Sequence, residues 1–440
     1  MRYLYGFLCV IALAIPAQAQ HAGMHHEPDT SQSAAPSMSS FTLPNLPMTR
    51  DGSGTAWLPD ATPMYGVHTG LGGWGLMLHG GAFLRYTTQD VFENGNRGDQ
   101  KLDVPNWFMG MAKRPIGSRG QLAVRSMISL EPLTIGSGYP LLFQTGETYE
   151  GEPLIDRQHP HDLFTELSMT YGQALGEQAG VFAYFGWPGQ PALGPVVFMH
   201  RPSARHNPDA PLGHHWQDAT HITFGVATLG LRYGPFTIDG SLFTGREPDE
   251  DRYDLDKPRF DSYSVRLSSN PTDALAVQVS RGFLKSPEVH EPDADQVRTT
   301  ASMIYHRPLA DGIWTNTLLW GRNEASSDDD HGHGHHGTQN AFLAESDVQF
   351  GRQAVYARAE WIEKTAGELG LESSESRTFS IGTLTLGTAR EVLSTGSLSW
   401  MLGAQGIVYH VPEALRPTYG SQPVSLEIYL RLSPRLLGHH

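Results

Sequence analysis

VSLEIYLRLS, residues 424–433, alternates aliphatic and polar side chains without a break. Val424, Leu426, Ile428, Leu430 and Leu432 fall on one face of an extended chain, and Ser425, Glu427, Tyr429 and Arg431 on the other. Period two belongs to a β-strand, whose successive side chains point to opposite sides of the sheet. The aliphatic face meets an apolar medium, and the face carrying Glu427 and Arg431 meets water.

The same pattern recurs upstream. SYSVRLS sets Tyr263, Val265 and Leu267 against Ser264 and Arg266, and DALAVQVS sets Leu275, Val277 and Val279 against Ala276, Gln278 and Ser280. AVYARAEW sets Val355, Ala357, Ala359 and Trp361 against Tyr356, Arg358 and Glu360. Between residues 73 and 433 about sixteen such segments of roughly ten residues are counted, the length a tilted membrane strand requires. Helical periodicity is nearly absent.

The connections alternate in length. Tight links are read near residues 116–118, 175–176, 234–235, 270–271, 310–312, 351–352 and 391–395. Long polar links are read around 89–105, 136–162, 188–219, 247–259, 286–295, 323–339, 365–376 and 412–422. Short turns at one end and long loops at the other mark a bacterial outer-membrane barrel rather than a soluble sandwich. The expected fold is all-β: one closed antiparallel transmembrane barrel of about sixteen strands, with both termini on the periplasmic side. Its lumen-facing side chains are expected to include Glu166, Arg201, Arg205, Arg266, Arg358, Glu360, Glu427 and Arg431, because Arg or Lys facing lipid at mid-height costs about 2–4 kcal/mol.

The N-terminus fits an exported protein. MRYLYGFLCVIALAIPAQAQ has one early positive charge, an apolar stretch from Leu4 to Ile15 and small residues at Ala17 and Ala19, the pattern of a secretory signal cut between Ala19 and Gln20. The only cysteine, Cys9, lies inside it, so the expected mature chain has neither disulfides nor Cys-based zinc sites. With 31 basic and 46 acidic residues the net charge is −15, which argues against nucleic-acid binding. Residues 1–19 are thus read as signal, 20–72 as a disordered periplasmic arm with a plug segment, 73–433 as barrel and 434–440 as tail. In the arm, HAGMHH (His21, Met24, His25, His26) combines imidazole with thioether, a pairing suited to copper in either oxidation state. Asp51 to Met64 is too rich in Gly and Pro for a strand and is read as the plug, with Trp57 against the wall.

Polar chemistry concentrates in two long loops. HPHD supplies His159, His161 and Asp162, and the next long loop supplies His200, His206, His214, His215 and His221 with Met199, Asp209 and Asp218. His-x-His on an extended chain points both rings to one side, and a neighbouring carboxylate ligates or orients them. Imidazole with carboxylate favours Zn(II) or Cu(II) over Mg or Ca. A third cluster, SSDDDHGHGHHGTQ (326–339), carries His331, His333, His335 and His336 on a glycine-spaced segment that holds no fixed site before metal arrives. By the alternation of loops it lies on the cell exterior. The competing reading of the first two is that their histidines line a polar lumen and bond to one another, to Asp or Glu and to water; that of the third is a hydrated surface loop.

Over residues 73–433 the chain resembles the outer-membrane porin superfamily. HPHDLFTELS (159–168), FMHRPSARHNPDAP (198–211) and LGHHWQDATHITFGV (212–226) are similar to an exported-barrel family of unassigned function. The resemblance implies that the third external loop, 188–219, folds inward and narrows the pore. It departs at the C-terminus, SPRLLGHH, where such barrels end on an aromatic residue.

The function expected is a porin-like channel linked to transition-metal uptake, binding or tolerance. No cofactor is assigned with certainty, Cu or Zn being the candidates; the expected partners are outer-membrane lipids and a small solute or metal ion, with a homotrimer as the candidate assembly. One alternative is a surface metal-binding protein without channel activity. A barrel-embedded hydrolase is the other: His, Ser and Asp occur together near 200–218, but no G-x-S-x-G, H-E-x-x-H or phosphate-binding glycine loop is present.

Overall fold

The computed structural model describes residues 39–288, 293–327, 337–371 and 377–436. The signal segment, the HAGMHH cluster, the four histidines at 331–336 and residues 437–440 lie outside the described residues.

Sixteen long antiparallel strands close into one barrel. The first, Trp74–Thr88, pairs on one side with Asn106–Ile116 (Met77 opposite Met111) and on the other with the last, Val424–Pro434 (Ala82 opposite Leu432). Two short strands, Val67–Leu71 and Gln100–Asp103, flank the first strand, and a separate hairpin, Tyr139–Tyr149 with Glu152–Gln158, lies within the second long loop. Seven tight turns alternate with eight long connections. Two turns sit elsewhere than expected. Strand Ser262–Thr272 runs through Asn270-Pro271 and turns at 273–274, and strand Thr378–Thr395 runs through 391–395 and turns at 396–397. Both carry a register irregularity there, which disguised strand as turn.

The two faces divide as the alternation requires. Ile428 (60% exposed), Leu426, Val265 and Val355 point outward, while Arg266, Arg358, Glu360, Glu427 and Arg431 are buried inside. Outward aromatics gather near the two rims: Tyr171, Tyr233, Phe236, Trp314 and Phe350 by the tight turns, Phe185, Tyr263, Phe342 and Trp361 toward the long loops. Paired aromatic girdles around an aliphatic band are the outer surface of a membrane barrel.

The lumen is filled from two directions. Residues 39–64, whose first part is expected to be a disordered arm, lie against the inner wall from Ser39 onward, with Phe41, Leu43, Trp57 and Leu58 buried. Trp57, Leu43 and Leu46 cluster with Phe182 of strand Ala179–Gly186. The anchors are mostly polar: Thr55 Oγ1 donates to Asp239 (2.7 Å), Arg125 to the Gly54 carbonyl (2.5 Å) and Asn270 to the Leu58 carbonyl (2.8 Å). A partner surface this polar imposes no hydrophobic period, so the sequence looked like an unstructured tail. The wall leaves space for the segment at Gly172, where an added Cβ would stand 2.0 Å from the Thr42 carbonyl oxygen.

The third long loop, 187–225, crosses the lumen. Its amides at Ala192 and Gly194 donate to Ser241 and Ser280 on one wall. Arg201 pairs with Glu345, His206 with Asp347 and Asp209 with Arg85 on others. Loop and wall are held by buried, multiply bonded ion pairs, in which Glu345 also receives Arg358 (3.0 Å) and Arg85 also binds Asp103 (2.8 Å).

Candidate metal centre

The second and third long loops place HPHD against HHWQDATH. His159 and His161 follow the hairpin strand Glu152–Gln158, and the short helix His214–Gln217 with the turn Ala219–His221 brings the other rings over them. Ring centroids of His159, His161, His214, His215 and His221 stand 5.1–6.3 Å from their neighbours. One small pocket is lined by all five together with Glu147, Asp162, Glu247 and Arg252.

Each ring is held by its Nδ1. His161 meets Glu131 at 2.7 Å, His214 meets Asp218 at 2.6 Å and His215 meets Glu247 at 3.3 Å; His159 meets the Pro160 carbonyl at 3.1 Å, with Glu147 3.2 Å away, and His221 meets the Asp218 carbonyl at 2.9 Å. The Nε2 atoms of His159, His161, His215 and His221 are buried without a hydrogen-bond partner. A ring fixed by a carboxylate at one nitrogen and free at the other is the arrangement metal-ligating histidines adopt. Buried imidazole nitrogens without partners otherwise carry a desolvation cost of about 1–3 kcal/mol each.

The electrostatics divide the rings. Burial, reinforced by Arg252, holds His159 well below the ordinary histidine range, and burial with His214 and His161 does the same for His221. Burial also lowers His214, against Asp218. For His161 and His215 burial is outweighed by Glu131 and Glu247 respectively, and both are raised. Burial pushes Asp162 up to about 7, with Arg252 opposing and Glu147 adding to it. Arg252, bonded to Glu147 and 3.4 Å from Asp162, is the one arginine or lysine among the residues lining the pocket. Carboxylates outnumber it, so the surroundings favour a bound cation.

The cluster is open. Zn–N bonds of about 2.0–2.1 Å keep two nitrogens on one ion within roughly 4 Å of each other. Among the described residues the only three candidate ligand atoms within 4.8 Å of one another belong to Asp249, Asp254 and Asp256, a solvent-facing acidic group. To share one ion, two or three of the rings would have to move inward.

Two expected members are elsewhere. His200, expected with the cluster, turns away: its ring stands 4.6 Å from Trp107 and 5.4 Å from His79, and its Nε2 is 3.5 Å from the Met127 sulfur. His206 is taken by Asp347 at 2.6 Å on the opposite wall. Arg201 and Arg205 lie in the lumen, as does Glu166, which accepts from Ser168 (2.5 Å) and Tyr184 (3.1 Å). Ser203 bonds Thr317 and Glu345 rather than a histidine, so the residues a hydrolase reading needs are not brought together. Glu131, Glu147, Glu247 and Arg252 were invisible in sequence, because each comes from a separate stretch and none adjoins a motif.

No family model matches the chain, and no curated protein matches it in sequence. Solved structures match its fold. The OmpF porin of Salmonella typhi, solved with daunomycin, aligns with TM-score 0.50 and 9% identity over 83% of this chain and 100% of that one. An anion-selective porin from Comamonas acidovorans aligns with TM-score 0.50 and 10% identity over 82% and 99%. The likeness is one of fold. Closed barrel, apolar outer band and alternating loop lengths together define a porin-like outer-membrane β-barrel.

Proposed function

We propose that this barrel binds a divalent transition-metal ion, Zn(II) or Cu(II), at its outer mouth and passes or holds it there, rather than serving as a wide diffusion pore. The observation that carries the reading is the set of four buried Nε2 atoms, on rings held at Nδ1 by carboxylates or a carbonyl, lining one acidic pocket. The filled lumen supports the second half, because residues 39–64 and 187–225 occupy space that an open porin leaves to water.

Calorimetry on folded protein in detergent tests it. Zn(II) should bind the wild type, and His161→Ala with His221→Ala should remove that binding without loss of the folded, heat-modifiable form. Wild-type binding by the double variant would refute the site. Planar-bilayer recording separates the two forms of the proposal. Small cation currents blocked by Zn(II) mark a channel, and silence marks a metal-binding barrel. A homotrimer is the assembly proposed, checked by the mass of the detergent-solubilised particle.

A further inference from the structure

A second constellation lies lower in the lumen, on the inner wall of the first three strands. Cross-strand register sets His79 opposite Met109 and Met109 opposite Met127, one row across strands Trp74–Thr88, Asn106–Ile116 and Gly120–Ile128. The next row toward the tight turns sets His68 opposite Met77 and Met77 opposite Met111. Period two turns the side chains of each row to the same face, and burial shows that face to be the lumen. Met48 and Met64 from the N-terminal segment, and Met199 from the third loop, pack onto this wall. Seven of the chain's 13 methionines thus meet in one place.

Methionine is a common filler of irregular cores, but two features here are not those of a filler. Six of the seven, all but Met127, border a cavity of about 160 Å³, which His79 and His200 also line and which extends at its upper end to Glu131 and His161. The Nε2 of His79 is buried and has no hydrogen-bond partner among the described residues, nor has that of His68. His200 approaches from the opposite side, with its Nε2 against the Met127 sulfur. Thioethers are soft, uncharged ligands that select a soft monovalent ion, and imidazole also suits copper. The nearby guanidiniums reinforce the choice. Arg205 and Arg431 border the same cavity, and Arg125, 3.9 Å from Glu166, stands opposite Met111 in the sheet. Their repulsion of a divalent ion is twice that of a monovalent one; the carboxylates that also border the cavity, Asp51 and Glu131, are engaged by Ser40 with the Phe41 amide and by His161 respectively.

We infer that Met77, Met109, Met111 and Met127, with His79 and His200, form a site for Cu(I) or its redox-inert analogue Ag(I), distinct from the histidine cluster at the mouth. The inference stands on different residues from the proposed Zn(II)/Cu(II) site, and each can fail without the other.

The test is a competition titration of purified full-length protein, under reducing anaerobic conditions, with Cu(I) held by a bicinchoninate-type chelator, and calorimetry with Ag(I). Met109→Leu with Met111→Leu conserves volume and keeps the wall packed. That double variant should weaken Cu(I) and Ag(I) binding about ten-fold or more, the scale on which even outer-shell changes act. It should also lower the sulfur scattering in the copper X-ray absorption spectrum, leaving only that of Met77 and Met127, while Zn(II) binding stays unchanged. His161→Ala with His221→Ala should do the reverse. Wild-type Cu(I) affinity and unchanged sulfur scattering in the Met109→Leu, Met111→Leu protein would overturn the inference. So would a wild-type protein that cannot take Cu(I) or Ag(I) from the chelator.

Discussion

At the scale of single residues, the histidines matter less by their number than by what holds their Nδ1 atoms. Glu131 accepts both the backbone N–H and the ring of His161, at 2.9 and 2.7 Å, so it fixes the ring and raises its basicity. Glu131→Gln should keep the fold and lower Zn(II) affinity about ten- to a hundred-fold, read by calorimetry. Unchanged affinity would mean that Glu131 does not orient a ligand. The pH dependence follows from the same pair. His161 and His215, raised above the ordinary value of about 6.5, hold protons that a metal must displace, so affinity falls with falling pH from above that value. His159 and His221 are held below it and stay neutral ligands further into acid. In Glu131→Gln, His161 loses the partner that raises it, so the fall should begin at lower pH than in the wild type. An identical onset in both proteins would contradict this assignment.

At the scale of elements, each strand is a two-faced object, and the two faces obey opposite rules. On strand Val424–Pro434, Ile428→Arg puts a charge into lipid and should cost about 2–4 kcal/mol near mid-height, measured by urea unfolding in bilayers. Arg431, three residues along on the lumen face, carries the same guanidinium inside the barrel. The loop 187–225 obeys a third rule, that of buried ion pairs. Glu345 on strand Gly337–Phe350 receives both Arg201 and Arg358 at 3.0 Å. Removing one partner of a buried pair leaves an uncompensated charge and costs about 3–5 kcal/mol. Glu345→Ala should therefore loosen the loop, giving protease cleavage within 187–225 and larger bilayer conductance than wild type. An intact loop with wild-type conductance would show that the pair does not hold it in place.

At the scale of the whole molecule, three histidine-bearing regions are distributed along the chain, and the segment 328–336 lies outside the described residues. Its deletion should lower Zn(II) stoichiometry while the tight binding at the mouth remains; unchanged stoichiometry would make it a simple connection. The sequence by itself determined the barrel, its strand count and the alternation of turns and loops. Those follow from local periodicity, and lipid outside a closed sheet leaves no alternative to period two on each strand. It also marked HPHD and HHWQDATH as one chemistry, because their side chains are dense enough to be conspicuous. Only the tertiary structure decided that His200 leaves that cluster for a methionine wall, that Glu131 and Glu247 hold two of its rings, and that residues 39–64 line the lumen. These are contacts between segments far apart in the chain, such as Arg201 with Glu345 and Thr55 with Asp239. A lumen lined with polar groups selects such contacts by hydrogen bonds and charge, which leave no period for a sequence to show.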